Sequence, residues 1–70
     1  MKQRNYFSSS INKGLHIIEC VASSNRPLRA SEVAIMTKMK RATAFRILVY
    51  LTTLGYVFKD TTTHLYSLGH

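Results

Sequence analysis

The basic side chains between residues 31 and 54 are the ones whose types and spacing favour a particular chemistry. They are Lys38, Lys40, Arg41 and Arg46. Ammonium and guanidinium groups bind phosphate oxygens, and arginine can also grip a guanine base through two parallel hydrogen bonds. Thr43 precedes Arg46 by one helical turn and can contact a base edge or the methyl group of thymine. The pattern therefore indicates contact with a nucleic acid.

Two helices joined by a short turn must position these side chains. We predict a short helix over about residues 31–37 and a longer helix that starts near Lys40 or Arg41. The longer helix is expected to end at Gly55, because glycine accepts the left-handed conformation that commonly follows a helix. The basic residues then gather at the turn and at the start of the longer helix. A helix-turn-helix presents a recognition helix to DNA in this way.

A rotation of 100° per residue divides the longer helix into an inward and an outward face. Around Leu48, the inward face is expected to hold Ala44, Phe45, Leu51 and Thr52. The outward face carries Thr43, Arg46 and Tyr50, with Ala42 and Thr53 beside them. In the shorter helix, the residues expected to point inward are Val33, Ala34, Ile35 and Met36.

Another helix is predicted before this pair. Ser9 or Ser10 can cap a helix that runs to about Ala22, because a serine oxygen accepts hydrogen bonds from the free amides of the first turn. The buried stripe of this helix is expected to consist of Ile11, Leu15, Ile18, Val21 and Ala22. Residues 1–9 are polar and basic, and we expect them to form a flexible segment.

Strands are expected on both sides of the helical pair. Leu28 is predicted to supply a very short strand, and from Tyr56 onward the sequence alternates as two strands around a polar turn at residues 61–63. A hairpin directly after a recognition helix is a wing. Residues 10–70 therefore predict a mainly α fold with a small β-hairpin, a three-helix winged helix-turn-helix.

The composition supports a partner of opposite charge. Ten Lys and Arg residues against three acids give a formal net charge of +7 over 70 residues. Such a field attracts polyanions, first nucleic acid and second an anionic membrane surface, with a merely solvated basic surface as the alternative. The single cysteine, Cys20, excludes an internal disulfide and is expected to be a small buried residue. No signal peptide or transmembrane segment is recognised, so a cytoplasmic protein is expected.

Ten residues are predicted to contact DNA, and they come from three places. The start of the shorter helix often meets a backbone phosphate, and a wing can reach the backbone or the minor groove. The set is Arg29, Ser31, Lys38, Lys40, Arg41, Ala42, Thr43, Arg46, Tyr50 and Lys59. Two alternatives stay open, namely that Arg46 pairs with Glu32 or another acid and that Lys59 lies on an ordinary solvated hairpin.

Catalysis is not expected from this sequence. The three acids are too scattered for a carboxylate pair, and the histidines with Cys20 lack the spacing of metal ligands. No glycine-rich loop is present to hold a phosphate-bearing cofactor. We therefore expect neither an enzyme nor a bound metal or cofactor.

The chain resembles the isocitrate-lyase-regulator (IclR) type of transcriptional regulator over roughly residues 10–69. The similar segments are 10–22 (SINKGLHIIECVA) for the opening helix, 28–34 (LRASEVA) for the strand and second helix, 41–51 (RATAFRILVYL) for the recognition helix, and 55–58 and 65–69 for the wing. The sequence departs from the family at Lys38, where glycine is usual, and at Lys40, where proline is frequent. Ala30 replaces the usual capping residue, so the second helix is expected to start at Ser31.

The resemblance implies a DNA-binding domain of a repressor or activator. Members of this family act as dimers or tetramers and carry a C-terminal effector-binding domain that responds to a small metabolite. That domain is absent from these 70 residues, so we expect a piece of a longer regulator, with a naturally short protein as the alternative. The competing functions are a winged-helix interaction or dimerisation module with an acidic partner and a module that binds structured RNA.

Overall fold

The computed structural model of the protein describes residues 9–68 and contains three helices and a hairpin. The elements are α1 (Ser9–Ser23), α2 (Ala30–Thr37), α3 (Arg41–Leu54), β1 (Phe58–Lys59) and β2 (Tyr66–Ser67). The strands pair antiparallel, with Phe58 opposite Ser67 and Lys59 opposite Tyr66. The predicted mainly α fold with a small β-hairpin is confirmed. Most of the segment predicted to be flexible, residues 1–8, lies outside the described residues.

The core lies where the three helices meet the hairpin. Its buried members are Ile17, Val21, Leu28, Val33, Ala34, Ala44, Leu48, Leu51, Val57 and Tyr66. The backbone N–H of Leu28 donates to the carbonyl of Tyr66 at 2.9 Å, and the N–H of Tyr66 donates back at 2.7 Å. This antiparallel bridge confirms the short strand predicted at Leu28. Since the Tyr66 side chain is also buried, the hairpin is held against the helices and not only at its own turn.

The buried stripe of α1 differs from the predicted one. Ile17 and Val21 are buried one turn apart, whereas Ile11 and Leu15 are 53% and 52% exposed and Ala22 is exposed as well. The apolar residues of α1 cover more than half of its circumference, so their periodicity alone does not select the side that meets the core. The prediction is therefore confirmed at Val21 and at Ile18, which packs against the core, and was wrong at the three exposed positions.

The prediction for α2 was wrong at its last two apolar positions. Val33 and Ala34 are buried, but Ile35 is 76% exposed and Met36 is 54% exposed. At roughly 100° per residue, Ile35 and Met36 both lie on the side of the helix turned away from the direction midway between Val33 and Ala34. Hydrophobic side chains on that side remain in contact with solvent.

Glu32 closes the N-terminus of α2. Its Oε1 accepts a 2.8 Å hydrogen bond from the backbone N–H of Arg29, three residues earlier, and its two oxygens also accept bonds of 3.2 and 3.0 Å from the Arg26 guanidinium. The Arg26 hydrogen bond first, and the Arg29 amide second, hold the pKa of Glu32 below its ordinary value. With this carboxylate as half of a capping box, α2 begins at Ala30 and not at Ser31 as predicted.

Lys38 ends α2 in the left-handed conformation, with φ 59° and ψ 42°. The N–H of Lys38 donates to Ile35 O at 3.2 Å and the N–H of Met39 donates to Ala34 O at 2.9 Å, which is the Schellman arrangement. Gly55 ends α3 in the same way at φ 89°, as predicted. Two equivalent turns therefore use a glycine in one case and a lysine in the other.

Replacing Lys38 by glycine should stabilise the fold. A side chain in the left-handed region costs about 1–2 kcal/mol, and the entropy of glycine in the unfolded chain offsets part of the gain. We expect Lys38→Gly to raise the free energy of unfolding in urea by about 0.5–1 kcal/mol. Lys38→Ala is the matched control, since it removes the same charge but keeps the Cβ atom. Equal stability of the two variants would contradict this account.

The lowered pKa of Glu32 predicts a specific dependence of stability on pH. A carboxylate whose pKa is lower in the folded state stabilises the fold above its unfolded pKa, for which the ordinary value is 4.5, and loses that contribution as pH falls through the folded value. Glu32→Gln should therefore flatten the decrease of the unfolding free energy below about pH 4.5. Glu19→Gln is the matched control, because the Glu19 carboxylate is exposed and has no ion pair among the described residues; it should leave the decrease unchanged. A curve for Glu32→Gln that parallels the wild type would refute the capping role.

Candidate nucleic-acid interface

The third helix presents one face away from the core. Ala44, Leu48 and Leu51 are buried, as predicted. The exposed side chains on the far side are Ala42, Phe45, Arg46, Val49 and Thr53. Phe45 was predicted to lie inside but is 47% exposed, because at 100° per residue it lies at the edge of the buried stripe and beyond the reach of the small core. The outward face therefore contains more apolar surface than the sequence indicated.

Thr43 and Tyr50 lie on a different side of α3 from that face. Thr43 is half-buried and Tyr50 is 62% exposed, and both line a groove of about 850 Å³ between α1 and α3. Arg46 also lines this groove, at the border between the two surfaces. The structure thus brings Ala42 and Arg46 together on the outward face and turns Thr43 and Tyr50 toward α1.

The turn and the start of α3 carry the uncompensated positive charge. Lys40 is the extended residue before α3, and no side chain caps the first amides of the helix. These amides and the helix dipole add partial positive charge beside the ammonium and guanidinium groups of Lys38, Lys40 and Arg41, all of which are exposed. The arrangement is suited to phosphate oxygens.

The one ion pair among the described residues joins Arg26 to Glu32, at 3.0 Å. Arg46 therefore pairs with neither Glu32 nor another acid of the described residues, which was the alternative left open by the sequence. Arg29 and Ser31 stand at the start of α2, where Arg29 is exposed and Ser31 half-buried. Glu32 neutralises Arg26, and the other described Lys and Arg side chains have no ion pair. Apart from Lys13 on α1, these cations lie at Arg29, in the turn, on α3 and in the wing.

The wing is ordered by its own acid. Asp60 Oδ1 accepts hydrogen bonds from the amides of Thr62 and Thr63 at 2.7 and 3.2 Å, and these bonds hold the pKa of the carboxyl below its ordinary value. His64, in the left-handed region at φ 62°, donates its N–H to Asp60 O at 2.7 Å. The ammonium of Lys59 lies 5.8 Å from the centre of the ring of Tyr66, its partner on the opposite strand, which is within the range of a cation–π attraction. The sequence analysis did not anticipate the two amide hydrogen bonds to Asp60 or the left-handed backbone at His64.

A second, shallower groove lies between α1 and the end of α2. It is lined by His16, Glu19, Cys20, Ser23, Met36, Thr37 and Lys38. Cys20 is half-buried, its Sγ lies 4.0 Å from Met36 Sδ, and burial raises the pKa of its thiol. No group of three His, Cys, Asp or Glu side chains that could hold a metal ion occurs in the described part of the chain. No helix between residues 9 and 68 has the length and apolar character needed to cross a membrane.

Known proteins share this fold. The sequence profile of the IclR helix-turn-helix domain matches residues 10–61. An IclR family transcriptional regulator from Brucella abortus is 26% identical and superposes with a TM-score of 0.86 over 99% of this chain and 26% of its own. HmgR of Pseudomonas aeruginosa is 27% identical, with a TM-score of 0.82 over 89% of this chain and 26% of its own.

A putative transcriptional regulator from Rhodococcus sp. RHA1 is 36% identical, with a TM-score of 0.79 over 90% of this chain and 24% of its own. The chain thus spans about a quarter of the length of these three structures. Among curated proteins, none is similar enough to count as a match. The profile covers most of the chain, and the superposed structures share its three helices and wing. The chain therefore belongs to the IclR family of transcriptional regulators, and it contains that family's winged helix-turn-helix DNA-binding domain.

Proposed function

We propose that this domain binds duplex DNA sequence-specifically, with α3 in the major groove and the wing on the backbone or the minor groove. The observation that carries the proposal is the coincidence of two features on one surface. The exposed face of α3 is continuous with the turn and with the first residue of the helix. These hold Lys38, Lys40 and Arg41 without ion-pair partners among the described residues. A polyanion in contact with α3 would neutralise these cations and release counterions.

The proposed contacts are of two kinds: contacts to phosphates, which position the protein on the duplex, and contacts to bases, which read the sequence. Phosphate contacts are assigned to six residues, which are Arg29, Ser31, Lys38, Lys40, Arg41 and Lys59. Base contacts are assigned to Arg46, Thr43 and Ala42. Tyr50, which is 62% exposed and lines the groove, is assigned a phosphate contact. Arg46 has the strongest support as a reader, because it is exposed and lacks an ion-pair partner in the described part of the chain. Thr43 has less room, since it is half-buried beside α1.

The complete regulator is proposed to be a cytoplasmic homodimer that reads a pseudo-palindromic site, gated by a small molecule bound to a C-terminal domain. Pairing is supported by the apolar side chains of the groove between α1 and α3, as distinct from Thr43, Arg46 and Tyr50, which line the same groove but are assigned to DNA. These apolar side chains, each more than half exposed, are Ile11, Leu15, Leu54 and Tyr56. The 70-residue domain alone is proposed to be mainly monomeric and to pair on DNA, because its core is small. In keeping with the family, which consists of regulators, no catalytic role is assigned to it.

Removing the Arg46 side chain should reduce discrimination between DNA sequences. If Arg46 reads a base, Arg46→Ala lowers the difference in binding free energy between a selected duplex and a random duplex by about 1–3 kcal/mol, measured by fluorescence anisotropy. Lys40→Ala should instead weaken both duplexes alike and lower the slope of log K against log salt by about 1. Arg26→Gln is the matched control, because Glu32 already neutralises that guanidinium. Equal weakening of both duplexes by Arg46→Ala would remove its reading role.

A polar substitution in the groove should impair pairing but not recognition. Leu15 is 52% exposed, so Leu15→Asn is expected to fold and to lose apolar contact with a second copy. Its binding to a selected duplex with two half-sites should become weaker and less cooperative, while binding to the same duplex with one half-site scrambled stays unchanged. Ile35→Asn is the control, since Ile35 is 76% exposed and does not line this groove. Unchanged cooperativity for Leu15→Asn would place the pairing surface elsewhere.

A further inference from the structure

We propose that an apolar strip on α3, formed by Ala42, Phe45 and Val49, reads the methyl groups of thymine in the DNA site. The inference rests on the proposed function and adds Phe45 and Val49 to the specificity-determining residues. Neither of them was among the residues predicted from the sequence.

The geometry of α3 places this strip on the outward side. Positions 42, 45, 46 and 49 follow the spacing of residues that share one helical face over two turns. Around the helix axis, the mean direction of these four side chains points away from the side that carries the buried residues Ala44, Leu48 and Leu51. Phe45 is 47% exposed and Val49 is 45% exposed, so both side chains present apolar surface to solvent.

The chemistry of the strip selects a particular group in the major groove. Arg46 is the one hydrogen-bonding side chain on this face between positions 42 and 49, so most of the contact there must be apolar. Thymine is the one standard base that offers a methyl group on the major-groove edge, and alanine and phenylalanine side chains are known to contact it. A duplex is thus read through methyl positions in addition to any guanine held by Arg46.

Charge distinguishes DNA from an apolar protein as the occupant of this strip. Lys38, Lys40 and Arg41 flank its N-terminal end and have no ion-pair partner among the described residues. A polyanion neutralises these groups, whereas an apolar protein surface would leave them uncompensated. The three strip residues also do not line the groove between α1 and α3, so a second copy in that groove would leave them free.

The test compares thymine with uracil in the same duplex. A duplex is first selected by the protein from a random pool, and each thymidine is then replaced singly by deoxyuridine, which keeps every hydrogen-bonding atom and removes the methyl group. At one or more positions the wild-type protein should bind roughly four-fold more weakly, as expected for about 0.8 kcal/mol per buried CH₂ group. Fluorescence anisotropy at fixed salt measures the affinity.

Variants assign the effect to the strip. Phe45→Ala or Val49→Ala should bind the thymine and uracil duplexes equally at the position that the lost side chain contacts. Ile35→Ala removes an apolar side chain that is 76% exposed on α2, and it should keep the full difference. Thermal unfolding of each variant, followed by circular dichroism, verifies that the fold persists.

Three results would overturn the proposal. They are a selected motif without enriched thymine, equal binding of the thymine and uracil duplexes at every position, and a difference that survives in both Phe45→Ala and Val49→Ala. Failure to select any duplex would refute sequence-specific binding itself, so it is distinguishable from a failure of methyl reading alone.

Discussion

The left-handed backbone at Lys38 is the constraint on which the orientation of α3 depends. It lets the amides of Lys38 and Met39 bond back to the last carbonyls of α2, so that the chain reverses without leaving these groups unpaired. Met39 follows and packs against the core, which anchors the turn. Ala44 and Leu48 can then face inward while Arg46 faces outward. The residue that builds the turn is also a cation of the proposed phosphate-binding surface, so its backbone strain coincides with its proposed function.

The few acids of the chain act locally, and this leaves the basic surface uncompensated. Glu32 caps α2 and neutralises Arg26, and Asp60 orders the tip of the wing. Neither carboxylate pairs with the cations of the turn or of α3. Glu32 offsets the positive charge of Arg26, and Asp60 offsets that of the neighbouring Lys59. The positive charge without a nearby acid is therefore greatest at the turn and the start of α3.

The sequence predicted the elements of the fold better than it predicted their exposed sides. Gly55 and the alternating residues after it correctly predicted the end of α3 and the wing, because both signals are local. The side of α1 that meets the core could not be predicted, since apolar residues such as Leu15 and Ile17 occur around most of the helix and tertiary packing makes the selection. Phe45 was misplaced for a related reason, because the core is too small to cover a residue at the edge of the buried stripe. In the candidate site, the sequence identified the cations. That they lack ion-pair partners among the described residues could be seen only in the structure, which places Glu32 against Arg26.

The turn, α3 and the wing are proposed to form one surface that contacts DNA. The most direct measurement is the change of backbone amide chemical shifts when ¹⁵N-labelled protein is titrated with a selected duplex. We expect the largest changes over residues 38–49 and 59–63, with smaller changes in α1. Large changes confined to α1, with the amides of Lys40 to Arg46 unaffected, would contradict this proposal.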